Sequence, residues 1–167
     1  LARIQGTTKL EDLADGDLVI EAVIENPDEK KKVFSTLDKV CPPHTIMASN
    51  TSTICIMEIA AATQRPDRVI GIHFFNPAPI MKLVEVTRTI ASSPEAVAQG
   101  RAFVETLGKT VVTSQDTPGF IVNRLLIPYL LDAIRILEAG VATREDIDTA
   151  MELGLNLPMG PLRLLDL

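Results

Sequence analysis

Asp17-Leu-Val-Ile-Glu-Ala-Val-Ile24 is a nearly continuous apolar run of strand length, and it gives the first indication of the fold class. Such runs are typical of parallel strands that are covered on both faces. Asn26-Pro27-Asp28-Glu29 then supplies a helix N-cap, a proline at the first helical position and a first-turn carboxylate. The helix that follows should bury one apolar stripe, formed by Val33, Phe34, Leu37 and Val40.

The same alternation continues along the chain. Strand patterns occupy residues 45–49, 68–75, 82–87 and 110–114, and helix patterns occupy 56–63 and 93–108. Strands that alternate with helices at this spacing predict right-handed crossovers and a doubly wound α/β sheet.

The pattern of apolar residues changes after residue 116. Residues 120–139 form a long apolar helical pattern interrupted only by Pro128, and no further strand pattern appears. Thr143 should cap another helix that runs to Leu153, and Gly160-Pro161 should begin a last one. We therefore predict a sheet domain over residues 1–116 and an all-helical domain over 117–167.

Composition excludes several classes of protein. The 16 basic and 22 acidic residues give a net charge of -6 without a basic stripe, so nucleic acid is not an expected partner. No apolar run reaches the roughly 20 residues that span a bilayer, so we expect no membrane segment. Cys41 and Cys55 lack metal-ligand spacing. We expect no metal site, and free thiols in a reducing, cytoplasmic compartment.

One motif is missing. A dinucleotide-binding domain normally opens with Gly-x-Gly-x-x-Gly, followed about 20 residues later by an acidic residue for the ribose. This chain contains neither. Either the fold is a different α/β fold, or it is the same fold beginning after its first two strands. The first residues, without an initiator Met, and the abrupt end at Leu167 lead us to expect cuts at both ends.

His73 and Glu85 are the candidate catalytic pair. Each lies in an apolar strand, and a carboxylate buried there without a partner would cost several kcal/mol. An imidazole oriented by a buried carboxylate is a general base near neutral pH. The sequence also allows a core histidine bonded to backbone beside an exposed edge-strand glutamate. Glu21, in another apolar strand, should need a partner as well.

A family resemblance rests on these segments. The signature of 3-hydroxyacyl-CoA dehydrogenases resembles two segments of this chain, His73-Phe-Phe-Asn-Pro-Ala-Pro79 and Met81-Lys-Leu-Val-Glu-Val86. The Met-Lys dipeptide that opens the second segment is similar to that of the monofunctional short-chain enzymes. Further segments resemble the family in the family's order: Asp17-Leu-Val-Ile-Glu-Ala22, Ser49-Asn-Thr-Ser52, Asp116-Thr-Pro-Gly-Phe-Ile-Val-Asn-Arg124, Glu145-Asp-Ile-Asp148 and Pro158-Met-Gly-Pro161.

The resemblance implies a fold, a reaction and catalytic residues. The fold would be the C-terminal part of a Rossmann-type sheet followed by the start of a helical domain. His73 would take the proton of the substrate 3-hydroxyl as hydride passes to NAD, and Glu85 would orient it. Ser52 and Asn123 would hydrogen-bond the substrate oxygen. Without the resemblance, Ser52 would be interpreted as a helix cap and Asn123 as an ordinary polar helix residue.

It also implies binding partners. The substrate would be a CoA thioester, and the chain would form a homodimer through its helical domain. NAD would contact Glu25, Lys30, Asn50, Ser52 and Asn76. The carboxyl ends of strands are where open α/β sheets bind ligands. Glu25 could instead merely precede a helix cap, and Lys30 could be a solvated residue beside Lys31 and Lys32.

Two other functions remain open on the sequence. One is a related dehydrogenase for small hydroxy acids, which commonly places a lysine where this chain has Asn123 and Arg124. The other is a binding or structural relative without catalysis. Lacking the glycine-rich turn, the 167 residues alone are expected to bind NAD weakly and to be inactive.

Overall fold

The computed structural model describes residues 4–167, and the contacts between residues divide the chain into two compact units that meet between Phe120 and Ile121. The first unit is a sheet with helices on both faces. Its strands are β1 (Leu18–Glu21), β2 (Ile46–Ser49), β3 (Val69–Phe74), β4 (Leu83–Arg88) and β5 (Thr110–Gln115), and its helices are α1 (Pro27–Val40), α2 (Ile56–Ala60) and α3 (Pro94–Thr106).

The five strands lie side by side in the order of the sequence. β1, β2 and β3 are parallel, β4 runs antiparallel to β3, and β5 is parallel to β4. The antiparallel pair places His73 directly opposite Glu85. The predicted α/β fold class is therefore confirmed, and the short return from β3 to β4 creates the pairing on which the site depends.

Alternate residues of the strands build a core on each face of the sheet. Met47 and Val69 pack with Phe34 and Leu37 of α1. The other face carries a second cluster under α3, formed by Ile46, Ala48, Ile70, Ile72, Val84, Val86, Ala96 and Val104. Covering on both faces explains why these strands read as nearly continuous apolar runs.

The first strand is shorter than predicted. The apolar run extends to Ile24, but β1 ends at Glu21, and Val23 and Ile24 are exposed. The reason is local, because the Val23 N–H donates to the Glu21 carboxylate (2.6 Å) and turns the chain toward α1. Asn26 caps that helix as predicted, accepting from the N–H groups of its first turn.

The remaining predicted elements are present with small changes at their ends. The helix predicted over 56–63 stops earlier, at Ala60. The helix opened by Ser93 ends shortly before Gly108, which adopts a positive φ of 70° that glycine tolerates without strain. A short 3-10 turn at Leu10–Leu13 was not predicted.

The second unit is entirely helical over its described residues. It contains α4 (Val122–Glu138), α5 (Arg144–Leu155) and α6 (Pro161–Leu165). Thr143 caps α5 as predicted, and Pro128 lies inside α4 without ending it. A small core joins the helices through Ala133, Ile147 and Leu162.

Much of the second unit's apolar surface is exposed, which agrees with the sequence pattern. On α4, Leu125 is 70% exposed and Ile127 is 53% exposed. Such apolar faces are typical of surfaces that pack against further protein.

Candidate active site

His73 and Glu85 meet within the sheet. Their Nδ1 and Oε2 atoms are 2.8 Å apart, and the two residues are 4% and 0% exposed. Because β4 lies between β3 and β5, Glu85 is not on a sheet edge. The alternative of an exposed edge-strand glutamate is therefore wrong.

The histidine lies among aromatic rings. Its ring centroid is 4.5 Å from that of Phe75 and 5.7 Å from that of Phe120. An ionised carboxylate can only accept hydrogen bonds, so the neutral imidazole donates from Nδ1 to Glu85. The Nε2 atom then keeps its lone pair and can accept a proton.

Ser52 lies next to this second ring nitrogen. Its Oγ atom is 3.2 Å from His73 Nε2. Ser52 does not cap the following helix, because α2 begins at Ile56 and has Cys55 as its N-cap residue. The helix-cap interpretation of Ser52 is therefore wrong, and the structure aligns a hydroxyl, an imidazole and a carboxylate.

Glu25 holds the loop between β2 and α2, residues 50–55, which carries Ser52 and is called the Ser52 loop. Its Oε1 atom accepts hydrogen bonds from the Thr51 hydroxyl and from the N–H groups of Ser52 (3.0 Å) and Thr53 (3.2 Å). Partial burial acts to raise the pKa of Glu25. These hydrogen bonds and the charge of Lys30 outweigh that effect and lower the pKa below its ordinary value.

Lys30 lies behind Glu25 and is buried, with 1% of its side chain exposed, so the solvated-face interpretation is wrong. Its Nζ atom lies 2.7 Å from Glu21 Oε1 and 3.3 Å from Glu25 Oε2. The buried Glu21, whose partner the sequence left open, is therefore paired with Lys30. Direct contact between Lys30 and a cofactor stays a prediction.

Asn50 and Asn76 occupy different positions at the carboxyl edge of the sheet. The Asn50 side-chain oxygen accepts from the Phe74 N–H (2.8 Å) and so ties the end of β2 to the end of β3. Asn76 is exposed at the start of the β3–β4 connection, before a cis bond to Pro77. Lys109 Nζ donates to the backbone oxygens of Ala78 and Met81 in that connection.

Asp116 supports the site in a way that the sequence did not predict. Its two carboxylate oxygens each accept a backbone N–H from the start of α2, from Ile56 and Met57, at 2.7 Å. The Ser52 loop is therefore anchored on both sides. A contact between residues 60 positions apart leaves no local sequence signal.

Asn123 belongs to the second unit, in the first turn of α4. The chain's neighbouring residue Arg124 is exposed.

Residues 4–167 contain no cluster of His, Cys, Asp and Glu side chains arranged to hold a metal ion. In that same part of the chain, every helix is too short or too polar to traverse a bilayer.

Comparison with known families divides the chain much as the contacts do. Residues 1–117 match the model of the 3-hydroxyacyl-CoA dehydrogenase NAD binding domain, and residues 119–167 match that of the 3-hydroxyacyl-CoA dehydrogenase C-terminal domain.

Individual relatives agree. The chain is 53% identical over 164 residues to a probable 3-hydroxybutyryl-CoA dehydrogenase of Bacillus subtilis, covering 98% of this chain and 57% of the relative. It is 56% identical to the human mitochondrial hydroxyacyl-coenzyme A dehydrogenase, covering 90% of this chain and 48% of that protein. The chain thus spans about half the length of these relatives.

A solved structure gives the same result. The crystal structure of (S)-3-hydroxybutyryl-CoA dehydrogenase from Ralstonia eutropha matches with a TM-score of 0.95 and 47% identity, over 98% of this chain and 58% of that one.

Proposed function

Since the chain belongs to the 3-hydroxyacyl-CoA dehydrogenase family, we propose that the protein interconverts (S)-3-hydroxyacyl-CoA and 3-ketoacyl-CoA with NAD. The observation that carries the proposal is the line of Ser52, His73 and Glu85, in which the imidazole has a buried carboxylate on one nitrogen and a hydroxyl on the other.

In the oxidation direction, His73 Nε2 takes the proton of the substrate 3-hydroxyl. The imidazolium that results is stabilised by Glu85, which already accepts from Nδ1 and keeps the ring in the required tautomer. In the reverse direction the same nitrogen returns the proton to the carbonyl oxygen.

Ser52 positions the oxygen that reacts. A substrate oxygen that hydrogen-bonds both Ser52 Oγ and His73 Nε2 is held where the proton transfer occurs, because these two atoms are 3.2 Å apart. Asn123 is proposed as a further residue that hydrogen-bonds the substrate oxygen, by family resemblance.

The polar groups at the carboxyl edge of the sheet suit the nicotinamide end of NAD. Glu25 is 42% exposed by its side chain, and Asn76 is exposed. Their carboxylate and amide groups suit ribose hydroxyls and a carboxamide. Asn50 and Ser52 add an amide and a hydroxyl to this set, and Lys30 adds positive charge behind it. Bound NAD would accept the hydride released from C3.

Assembly and location are proposed from the exposed apolar surface and from the cysteines. The exposed apolar residues of α4, among them Leu125 and Ile127, support a homodimer through the helical unit. The free thiols of Cys41 and Cys55 are compatible with a reducing, cytoplasmic compartment. The substrate is proposed to be a CoA thioester, as the names of the relatives indicate.

The decisive experiment is a substrate panel on the full-length protein, with NADH oxidation as the measured quantity. Acetoacetyl-CoA should be reduced, whereas free keto acids should be poor substrates. His73→Gln should still bind NADH but lose most of the turnover. A preference for free acids would favour the hydroxy-acid dehydrogenase alternative, and no turnover of any substrate would favour a binding protein without catalysis.

A further inference from the structure

The proposed reaction assigns no role to Glu21, although its position is unusual. Glu21 is the last residue of β1, and its side chain is 0% exposed. A carboxylate buried this completely carries a large desolvation cost unless charged and polar partners compensate it. The partners are Lys30 Nζ (2.7 Å), the Val23 N–H (2.6 Å) and the Ser49 hydroxyl (2.6 Å).

A chain of charged side chains connects Glu21 to the Ser52 loop. Lys30 lies between two carboxylates, with the short contact to Glu21 and the longer one, 3.3 Å, to Glu25. Glu25 uses its other oxygen to accept the N–H groups of Ser52 and Thr53. Because Glu21 takes the short contact with the ammonium, Glu25 remains available to the loop.

A second path runs through Ser49. The Ser49 hydroxyl donates to Glu21 Oε2 and accepts from the Thr51 N–H (3.2 Å). The backbone adds a third connection, since the Asn50 N–H donates to the Glu21 carbonyl oxygen (2.8 Å). Glu21 therefore holds the start of this segment directly and is linked to the rest of it through Lys30 and Glu25.

We propose that Glu21 is a positioning residue that holds the Lys30 ammonium and thereby sets the Ser52 hydroxyl against His73 Nε2. Without the negative charge of Glu21, Lys30 is drawn toward Glu25 and pulls this carboxylate away from the N–H groups of the loop. Ser52 then shifts relative to the imidazole. The effect on turnover rests on the proposed function, whereas the effect on geometry does not.

The test compares charge variants of the full-length protein. Glu21→Gln keeps a side-chain oxygen for Ser49 but removes the charge. For acetoacetyl-CoA reduction, kcat and kcat/KM should both fall by roughly tenfold to a hundredfold. This is the scale expected when a reacting group is displaced by about 1 Å. The matched control is Glu29→Gln, which breaks the exposed 2.6 Å pair with Lys32 on the same helix and should leave kcat unchanged.

A double variant separates charge balance from mere loss of packing. Glu21→Gln combined with Lys30→Met removes both buried charges and frees Glu25 to hold the loop. The kcat of the double variant should exceed that of Glu21→Gln severalfold. Rates are compared at saturating NADH, because Lys30 also belongs to the proposed cofactor site, and a double variant as slow as the single one, or slower, overturns the proposal. If Glu21→Gln alone does not fold, the double variant is compared with the wild type, and a loss of kcat as large as that expected for Glu21→Gln overturns the proposal.

Nitrogen NMR of the His73 ring provides a measurement independent of turnover. Glu21→Gln should shift the Nε2 resonance, because this nitrogen contacts Ser52. The Nδ1 resonance should stay unchanged, because this nitrogen contacts Glu85. An unchanged Nε2 resonance overturns the positioning role. If the wild-type protein reduces no acetoacetyl-CoA, the proposed function fails, while the Nε2 shift still decides whether Glu21 positions Ser52.

Discussion

His73 Nδ1 lies 2.8 Å from Glu85 Oε2 because the antiparallel pairing of β3 with β4 makes these two residues direct partners. Their separation is therefore set by the register of two central strands and not by a mobile loop. A register shift of one residue would turn Glu85 to the opposite face of the sheet.

Removing the charge of Glu85 should impair catalysis without impairing cofactor binding. In Glu85→Gln the imidazolium loses its counter-charge, so we expect kcat to fall by about 10²- to 10⁴-fold. NADH affinity, measured by fluorescence titration, should stay within a few-fold of the wild type. Glu105→Gln, which alters only an exposed pair with Arg101, is the control and should retain full activity. A Glu85→Gln variant with near-normal kcat would refute the assigned role.

The Ser52 hydroxyl should matter less than the imidazole. A hydrogen bond to a charged group contributes about 1.5–3 kcal/mol, so Ser52→Ala should lower kcat/KM by roughly 10- to 150-fold. Steady-state kinetics with acetoacetyl-CoA measures this. Ser35→Ala on α1 removes a hydroxyl of the same size and should change nothing. Equal rates for the two variants would show that Ser52 does not contact the reacting oxygen.

How far the sequence could predict this site depends on the range of the interactions. The need of Glu85 for a partner was predictable, because a carboxylate buried in an apolar strand requires one, and His73 was the candidate that the structure bears out. The Asn26 cap was predictable because capping is local. The Asp116 anchor of α2 was not, since both partners look like ordinary loop and helix residues and only the folded chain brings them together.

Lys30 shows a different limit. Its neighbours Lys31 and Lys32 make it look solvated, yet it is buried, and its partner is the equally buried Glu21 carboxylate. The sequence predicted that Glu21 needs a partner but did not connect the two residues. Charge pairing inside a fold follows from three-dimensional position, which residue type alone does not supply.

The Ser52 loop should loosen in acid. The pKa of Glu25 is lowered in the folded protein, so its stabilisation is complete above the ordinary glutamate pKa and is lost as the pH falls through the lowered value. The Ser52 and Thr53 N–H resonances should titrate with a midpoint below that of an ordinary glutamate. The Lys30 ammonium faces this carboxylate, 3.3 Å from Oε2. Glu25→Gln should abolish the transition, and a midpoint at or above the ordinary value would contradict the hydrogen-bond network.

Two glycines of the second unit should respond in opposite directions to alanine. A Cβ on Gly160 would lie 2.3 Å from the Asp148 Cβ and 2.5 Å from its Cα, whereas a Cβ on Gly154 meets nothing within 4 Å. Asp148 cannot retreat freely, because its carboxylate accepts the Leu162 and Arg163 N–H groups at the start of α6. Gly160→Ala should therefore cost about 1–3 kcal/mol of unfolding free energy. Gly154→Ala, inside α5, should instead stabilise by about 0.5–1 kcal/mol. Urea unfolding of both variants measures the difference, and equal midpoints would show that the close approach of Gly160 to Asp148 does not exist in solution.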